Sequence, residues 1–271
     1  MTLARYLARA YPMWPDWALR ATLKKKDVRI NGVKSDASAS VSPGDELTLY
    51  CPAEYLSGTV HVVFQENGLL VVEKPVRLPV DSDHDGIGAD TLINRIQTTY
   101  PTARLCHRLD AGTGGIMLLA LNDETEIKLK SAFEQHQIKK TYHCVARGQF
   151  EKKAGQLTHY LVKSKDAGAV RAYDSPKRGA LTAKLNYHVL SQRNDLALVE
   201  VQLQTGRTHQ IRVQFAHDGH PLLGDDRYGD RALNKAHKTT QPLLWCVKTE
   251  YDGQVFTSNA PFERESEIHG Y

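Results

Sequence analysis

Residues 107–121 read HRLDAGTGGIMLLAL, and the apolar half of that stretch constrains the fold more than any other part of the chain. Ile116 to Leu121 run on from a Gly-Thr-Gly-Gly turn without a polar interruption. A short apolar run bounded by a turn signal reads as a fully buried strand, here over 115–121. An aspartate, Asp110, stands at the mouth of that strand, where desolvating its charge is costly unless something stabilises it. Two readings are open. Asp110 caps the glycine turn by accepting backbone N–H bonds, as Asx residues often do; or it is an ionised nucleophile or base presented into a cleft. On an extended segment Arg108, two positions earlier, points the same way and would help to orient a polyanion.

The chain has 271 residues, enough for one large domain with an appendage or for two modest domains. With 41% apolar and 24% charged residues it has the balance of a soluble globular protein. No apolar run approaches the roughly 18 residues that span a bilayer. The start, MTLARYLARAYPMWPDW, lacks the apolar core and cleavage site of a secretory signal. No membrane partner is expected, and the expected location is cytoplasmic. Cys51, Cys106, Cys144 and Cys246 are far apart and form no CxxC pair, so neither a zinc site nor a disulfide framework is expected. His107 and His209 have no Cys/Asp cluster at ligand spacing, and no metal is assigned to them.

Strand patterns dominate from residue 60 onward. VHVVF (60–64) and LLVVEK (69–74) flank Gln65-Glu66-Asn67-Gly68, which reads as a hairpin turn. Asp90 is placed to cap a helix through about Thr99, ended by Tyr100-Pro101. Residues 123–136 predict a helix with Leu129, Ala132, Phe133 and His136 on one face and Glu124/Lys128 and Glu126/Lys130 as i,i+4 pairs. Strand patterns return at IKKTYHCVARG, LTHYLV, ALTAKLNYHVL and LALVEVQLQ. A helix follows over 206–218, with Thr208 and Arg212 on one face and Ile211 and Phe215 on another, and its start suits an anion. LLWCVKTEY and QVFTSNA close the chain. Few helices and no strict βαβ alternation predict an α+β domain on a mixed, mainly antiparallel sheet.

The first fifty residues differ from the rest. They carry eight Lys/Arg against five Asp/Glu, most of the chain's net charge of +4. Arg20, Lys24, Lys25 and Lys26 fall within one short segment, able to pair with successive phosphates in a sequence-blind, salt-sensitive way. A solvated helix face is the plainer alternative. The stretch ALRATLKKKDVRINGVKSDASASVSPGDELTL resembles the S4 RNA-binding domain, whose basic helix precedes V-x-V-N-G and V-x-x-G-D-x-L patterns, matched by Val28 to Gly32 and Val41 to Leu47. The resemblance implies a small α/β RNA-binding domain over residues 1–51, a linker over 52–58 and a catalytic domain over 59–271.

The remaining motifs agree on one family. HRLDAGTGGIMLLA resembles the H-R-L-D-x-x-T-S-G-x-x-x-x-A motif of the RluA-type pseudouridine synthases. VVEKPVRLPV (71–80) is similar to their V-x-x-K-P-x-G-x-x-V strand, and KKTYHCVARG (139–148) to their K-x-Y-x-A-x-V-x-G segment. LQTGRTHQIRVQFAHDGHPLLGDDRYG (203–229) follows their L-x-T-G-R-T-H-Q-I-R signature through to G-D-x-x-Y-G. The resemblance implies the pseudouridine synthase fold, isomerase activity on structured RNA, and no cofactor, consistent with the lack of a phosphate-cradling or GxGxxG loop. By resemblance Asp110 is the catalytic aspartate, Arg212 the cation that keeps it ionised, and Tyr142 the aromatic that stacks on the target base and assists proton transfer from C5. His107, Arg108 and Thr208 are expected to support the site, and GHPLLGD (219–225) to be a structural turn. The S4-like unit leans the RNA class toward large ribosomal RNA, with transfer RNA as the alternative, and a monomer is expected.

Departures from the pattern are Gly114 in place of serine, Arg77 in place of glycine, and Leu-Trp-Cys at 244–246 where Leu-His-Ala is common. Two other functions compete. A non-catalytic RNA-remodelling protein would use Asp110 only as a turn cap. A glycosidase-like hydrolase would need a second carboxylate near it, for which Asp225 and Asp226 are the candidates.

Overall fold

The computed structural model describes residues 1–10, 16–24, 27–50, 60–81, 91–164 and 169–263. The chain divides into two compact units, residues 1–61 with 78–103 and residues 62–77 with 104–271.

In the first unit Leu3 and Leu7 on α1 (Leu3–Ala10) and Leu19 and Leu23 on α2 (Asp16–Lys24) lie four apart, so each pair shares a helix face. Those faces close on Val28 and Val41 in one buried cluster. Beside them β1 (Val28–Ile30), β2 (Val33–Lys34) and β3 (Leu47–Leu49) form an antiparallel sheet in the order β2-β1-β3. Asn31 and Gly32 make the β1–β2 turn at φ 50° and 79°, the left-handed pair that a tight hairpin requires. Arg20 and Lys24 are exposed on α2, while Lys25 and Lys26 lie outside the described residues. The helix expected after Asp90 is α3 (Leu92–Gln97), capped by Thr91 Oγ1, which accepts from Asn94 N at 3.2 Å. Asp90 itself lies outside the described residues.

The second unit is built on one eleven-stranded sheet. Its strands are β4 (His61–Glu66), β5 (Leu69–Lys74), β6 (Arg104–Leu105), β7 (Gly114–Ala120), β8 (Lys139–Arg147), β9 (Ala154–Lys163), β10 (Val170–Tyr173), β11 (Leu181–Arg193), β12 (Leu196–Leu203), β13 (Leu244–Tyr251) and β14 (Gln254–Thr257). They run in the order β10-β9-β11-β12-β8-β13-β7-β5-β4, with β14 on β13 and β6 on β7. β7 and β13 are parallel, while β7 is antiparallel to β5 and β13 to β8, giving the mixed, mainly antiparallel sheet. All seven residues of β7 are buried. Gly115 (φ 106°) lets β13 approach, because a Cβ there would run into the Cys246 backbone.

Two helix boundaries differ from expectation. α4 (Asp123–Glu134) is capped by Asn122 and carries both predicted ion pairs at 2.6 Å, but it ends before His136. His136 is exposed and left-handed and does not share the buried face. α5 (Gln210–His217) begins at Gln210, not at 206. The Gln210 side chain accepts from Thr205 Oγ1 (2.9 Å) and Arg207 N (3.0 Å) and donates to Lys184 O (3.1 Å), tying 205–207 into a loop. Gly206 and Thr208 are therefore exposed loop residues, not a first helical turn. The short α6 (Arg231–Ala236) completes the unit. Among the described residues no helix is long and apolar enough to cross a membrane.

Candidate active site

The turn ahead of β7 closes through the main chain, with Thr113 N donating to Asp110 O at 3.0 Å. The Asp110 side chain is left for other partners. Arg212 Nη1 lies 3.5 Å from its Oδ2 and His209 Nε2 lies 3.9 Å from its Oδ1. Among the described residues no backbone N–H bonds this carboxylate, so the side-chain cap is not what the structure shows.

Arg212 projects from α5 and is itself held fast. Its Nε and Nη2 make a bidentate pair with Asp225 at 2.7 and 2.8 Å, the fork geometry that a guanidinium and a carboxylate share. Asp225 is fully buried, and its Oδ1 also accepts from the backbone N–H of Arg227 (2.9 Å) and Tyr228 (3.0 Å). Burial pushes the Asp225 pKa up, but Arg212 and the two N–H groups outweigh it and the carboxyl sits below its usual range. Burial also works against the guanidinium, and Asp225, ahead of Asp110, reverses that, so the Arg212 pKa is raised. The Tyr228 ring lies under Arg212, with Cζ 5.3 Å from its centroid. With one edge of the fork committed to Asp225, Nη1 is the arm directed at Asp110.

Asp225 and Asp226 both lie on the guanidinium that reaches Asp110, the neighbourhood a hydrolase's second acid would occupy. Asp225 has no proton to give, since both oxygens are bonded and its pKa is lowered. The Asp226 side chain is 82% exposed and 3.8 Å from Nη2, the setting of an ordinary surface carboxylate.

Tyr142 is buried on β8, paired across the sheet with Val201 on β12 and Cys246 on β13. Burial pushes its phenol pKa well up, and Cys246 and Asp110 add to the effect, so Tyr142 is a neutral phenol at neutral pH. Lys74, which sequence reasoning did not single out, ends β5 opposite Gly115 and is fully buried. Its Nζ donates to Pro75 O (2.8 Å) and Ala111 O (3.2 Å), gripping the peptide that follows Asp110. Burial pushes the Lys74 pKa down to about 7, with Asp110 acting in the opposite sense. The available signal was its place in the K-P match. Asp225 and Tyr228 were likewise inside the matched G-D-x-x-Y-G segment, so 219–225 does more than turn the chain.

His107 Nε2 accepts from Leu118 N at 3.1 Å, and its ring packs on Phe133 with centroids 4.4 Å apart. Desolvation, then Lys140, pushes its pKa far down, so His107 is a neutral brace under β7. Arg108 and Thr208 are exposed. Among the described residues one cluster has ligand-like spacing, His159, Asp174 and His217. Gln214 Nε2 donates both to Ala183 O (3.2 Å) and to His159 Nδ1 (3.1 Å). That places the ring hydrogen of His159 on Nε2, facing Asp174, where a metal would need a lone pair. The cluster is wired for hydrogen bonding.

The model of the family described as RNA pseudouridylate synthase matches residues 68–217, which include Lys74, Asp110, Tyr142, His209 and Arg212. The chain is similar to ribosomal large subunit pseudouridine synthase C of Rickettsia conorii, 28% identical over 252 residues that cover 85% of this chain and 83% of that protein. An RNA pseudouridine synthase of Haemophilus influenzae is 30% identical over 193 residues, 71% of this chain and 82% of that one. Among solved structures, human RNA pseudouridylate synthase domain containing 4 superposes with a TM-score of 0.63 at 24% identity, covering 77% of this chain and 90% of its own. That last likeness is one of fold.

Proposed function

The chain belongs to the RNA pseudouridylate synthase family, and from that premise we propose that Asp110 is the nucleophile with which it isomerises uridines in large-subunit ribosomal RNA. The observation that carries this reading is the Asp110 carboxylate facing Arg212 Nη1 at 3.5 Å, with Arg212 locked from behind by Asp225. A cation with one edge already satisfied keeps its remaining donor in place without reorganising when the carboxylate reacts.

The reaction breaks the N1–C1′ bond of uridine and joins C5 to C1′. An Asp110 oxygen attacks, at C1′ of the sugar or C6 of the base. The N1–C1′ bond breaks, the uracil turns within the site, C5 bonds to C1′ and the carboxylate is released; the C5 hydrogen leaves as a proton to solvent and N1 takes a proton up. Substrate and product are isomers, so nothing is oxidised or reduced. A base inside structured RNA must leave its stack to be reached. Tyr142 supports it as a stacking platform, and its raised pKa makes the phenol a donor rather than a free base. Residues 1–51 serve as an S4-like docking module whose exposed Arg20 and Lys24, with Lys25 and Lys26, pair with phosphates. The ribosomal substrate is supported by the name of the Rickettsia relative, and a cytoplasmic monomer suffices for the chemistry.

The test is tritium release from transcribed large-subunit ribosomal RNA carrying [5-3H]uridine. Asp110→Asn and Asp110→Ala are expected to lose about a thousandfold or more in turnover, with RNA affinity nearly unchanged, because the carboxylate makes bonds and does not dock the RNA. Turnover within about tenfold of wild type would remove Asp110 as nucleophile.

A further inference from the structure

We infer that His209 is a positioning residue for Asp110: Tyr228 holds it as the Nε2–H tautomer, which offers the carboxylate a second donor. The inference deepens the proposed function and rests on Asp110 being the nucleophile.

The tautomer follows from a chain of hydrogen bonds. A backbone N–H can only donate, and Val170 N lies 3.0 Å from Tyr228 Oη. Oη therefore accepts there and has its own hydrogen left to place. His209 Nδ1 lies 2.8 Å away, and among the described residues no other acceptor is within reach of Oη. A neutral imidazole has one donor and one acceptor nitrogen, so with Nδ1 accepting, the hydrogen sits on Nε2. That is the nitrogen facing Asp110 Oδ1 at 3.9 Å. The opposite tautomer would aim a lone pair at a carboxylate.

Burial and the neighbouring guanidinium groups favour the neutral ring. Burial lowers the His209 pKa first; Asp110 and Asp225 oppose this, while Arg212 and Arg227 reinforce it. Tyr228 meets the ring edge-on, with centroids 5.6 Å apart. His209 also adopts φ 53°, a left-handed conformation uncommon for residues other than glycine and maintained where surrounding contacts over-determine it. Arg212 thus addresses Oδ2 of the nucleophile and His209 faces Oδ1, so that closing the second contact sets the carboxylate's rotation about Cβ–Cγ. The 3.9 Å separation exceeds a formed hydrogen bond, as catalytic contacts often do before substrate tightens them.

Tyr228→Phe removes only the hydroxyl and keeps the ring under Arg212, and His209→Asn tolerates the left-handed backbone while shortening the reach. Two-bond 1H–15N spectra of the 15N-histidine-labelled full chain, with His209→Asn assigning the signal, are expected to show the Nε2–H tautomer of the neutral ring. Tyr228→Phe is expected to lose that pure tautomer and gain pH dependence in its single-turnover rate. Both variants are expected to slow single turnover on [5-3H]uridine-labelled transcribed large-subunit ribosomal RNA by about tenfold to a hundredfold, at RNA affinity within about threefold of wild type. An Nδ1–H tautomer in the wild type, or His209→Asn turnover within about twofold of it, overturns the inference. The tautomer is read without RNA, so its failure is distinct from the failure of the nucleophile, which Asp110→Asn reports.

Discussion

Gly114 and Trp245 are separate departures from the family pattern in the sequence and a single feature in the structure. β13 runs parallel to β7 with Trp245 opposite Gly114, and a Cβ at position 114 would overlap the Trp245 ring. The indole is nearly buried, and its Nε1 donates to Ser258 Oγ at 2.9 Å, which in turn donates to Glu73. Restoring the family's residue at either position alone should therefore be harmful. Gly114→Ser overpacks the strand, at a cost of about 1–3 kcal/mol. Trp245→His opens a void, at about 3 kcal/mol. The double variant relieves both faults, and urea unfolding should show it more stable than the sum of the singles by at least about 0.5 kcal/mol. Strictly additive costs would mean that the two positions do not share the space. Arg77 illustrates the same point. It holds φ 66° where the family has glycine, and its guanidinium bonds Gln241 Oε1 and Thr240 Oγ1. The sequence exposed these substitutions; their compensating partners lie on distant strands and loops, out of reach of any local pattern.

At the scale of elements, legibility followed how much of an element its own residues decide. The apolar runs of β5 and β7 and the Asn67-Gly68 turn (φ 49° and 81°) are where periodicity and turn chemistry place them. The start of α5 lies beyond the position its local pattern predicts because Gln210 bonds Lys184 O on β11, a tertiary contact with no local signature. Lys74 has no local signal of its burial, because VVEK ends like any strand with a solvated lysine. In the structure β5 carries it inward, to the carbonyl of its chain neighbour Pro75 and to that of Ala111, next to Asp110. That burial has a thermodynamic signature. The Lys74 pKa is lowered from 10.5 to about 7 on folding. Between those values the unfolded chain binds a proton that the folded one does not, so stability rises with pH across that window. Below it Lys74 is charged in both states and the whole penalty is present. Lys74→Met should flatten this rise, read as the difference in urea-unfolding free energy between variant and wild type from pH 7 to 10. A parallel pH dependence in both proteins would show that Lys74 keeps an ordinary pKa in the fold.

At the scale of the whole molecule, the proposed division of labour between a docking unit and a catalytic unit is one that salt can test. Asp110, Arg212, Tyr142 and His209 all lie in the larger unit, and none is proposed to act through long-range attraction to phosphate. The charge excess is concentrated in the first fifty residues, and the substitution of Arg20, Lys24, Lys25 and Lys26 by Gln removes four positive charges from a chain whose formal net charge is +4. Every cation–phosphate pair that is abolished reduces the slope of log affinity against log salt by about 0.7 to 0.9, so the quadruple variant should flatten that slope by up to about 3.6 and bind large-subunit ribosomal RNA more weakly at low salt. Its single-turnover rate at saturating RNA should stay near wild type. Asp110→Asn should show the opposite pattern, an unchanged slope with the turnover abolished. If the quadruple variant keeps the wild-type slope, RNA is docked by other cations and these four do not pair with phosphate. If both its slope and its saturated rate fall, the N-terminal unit helps to assemble the reacting site as well as to hold the RNA.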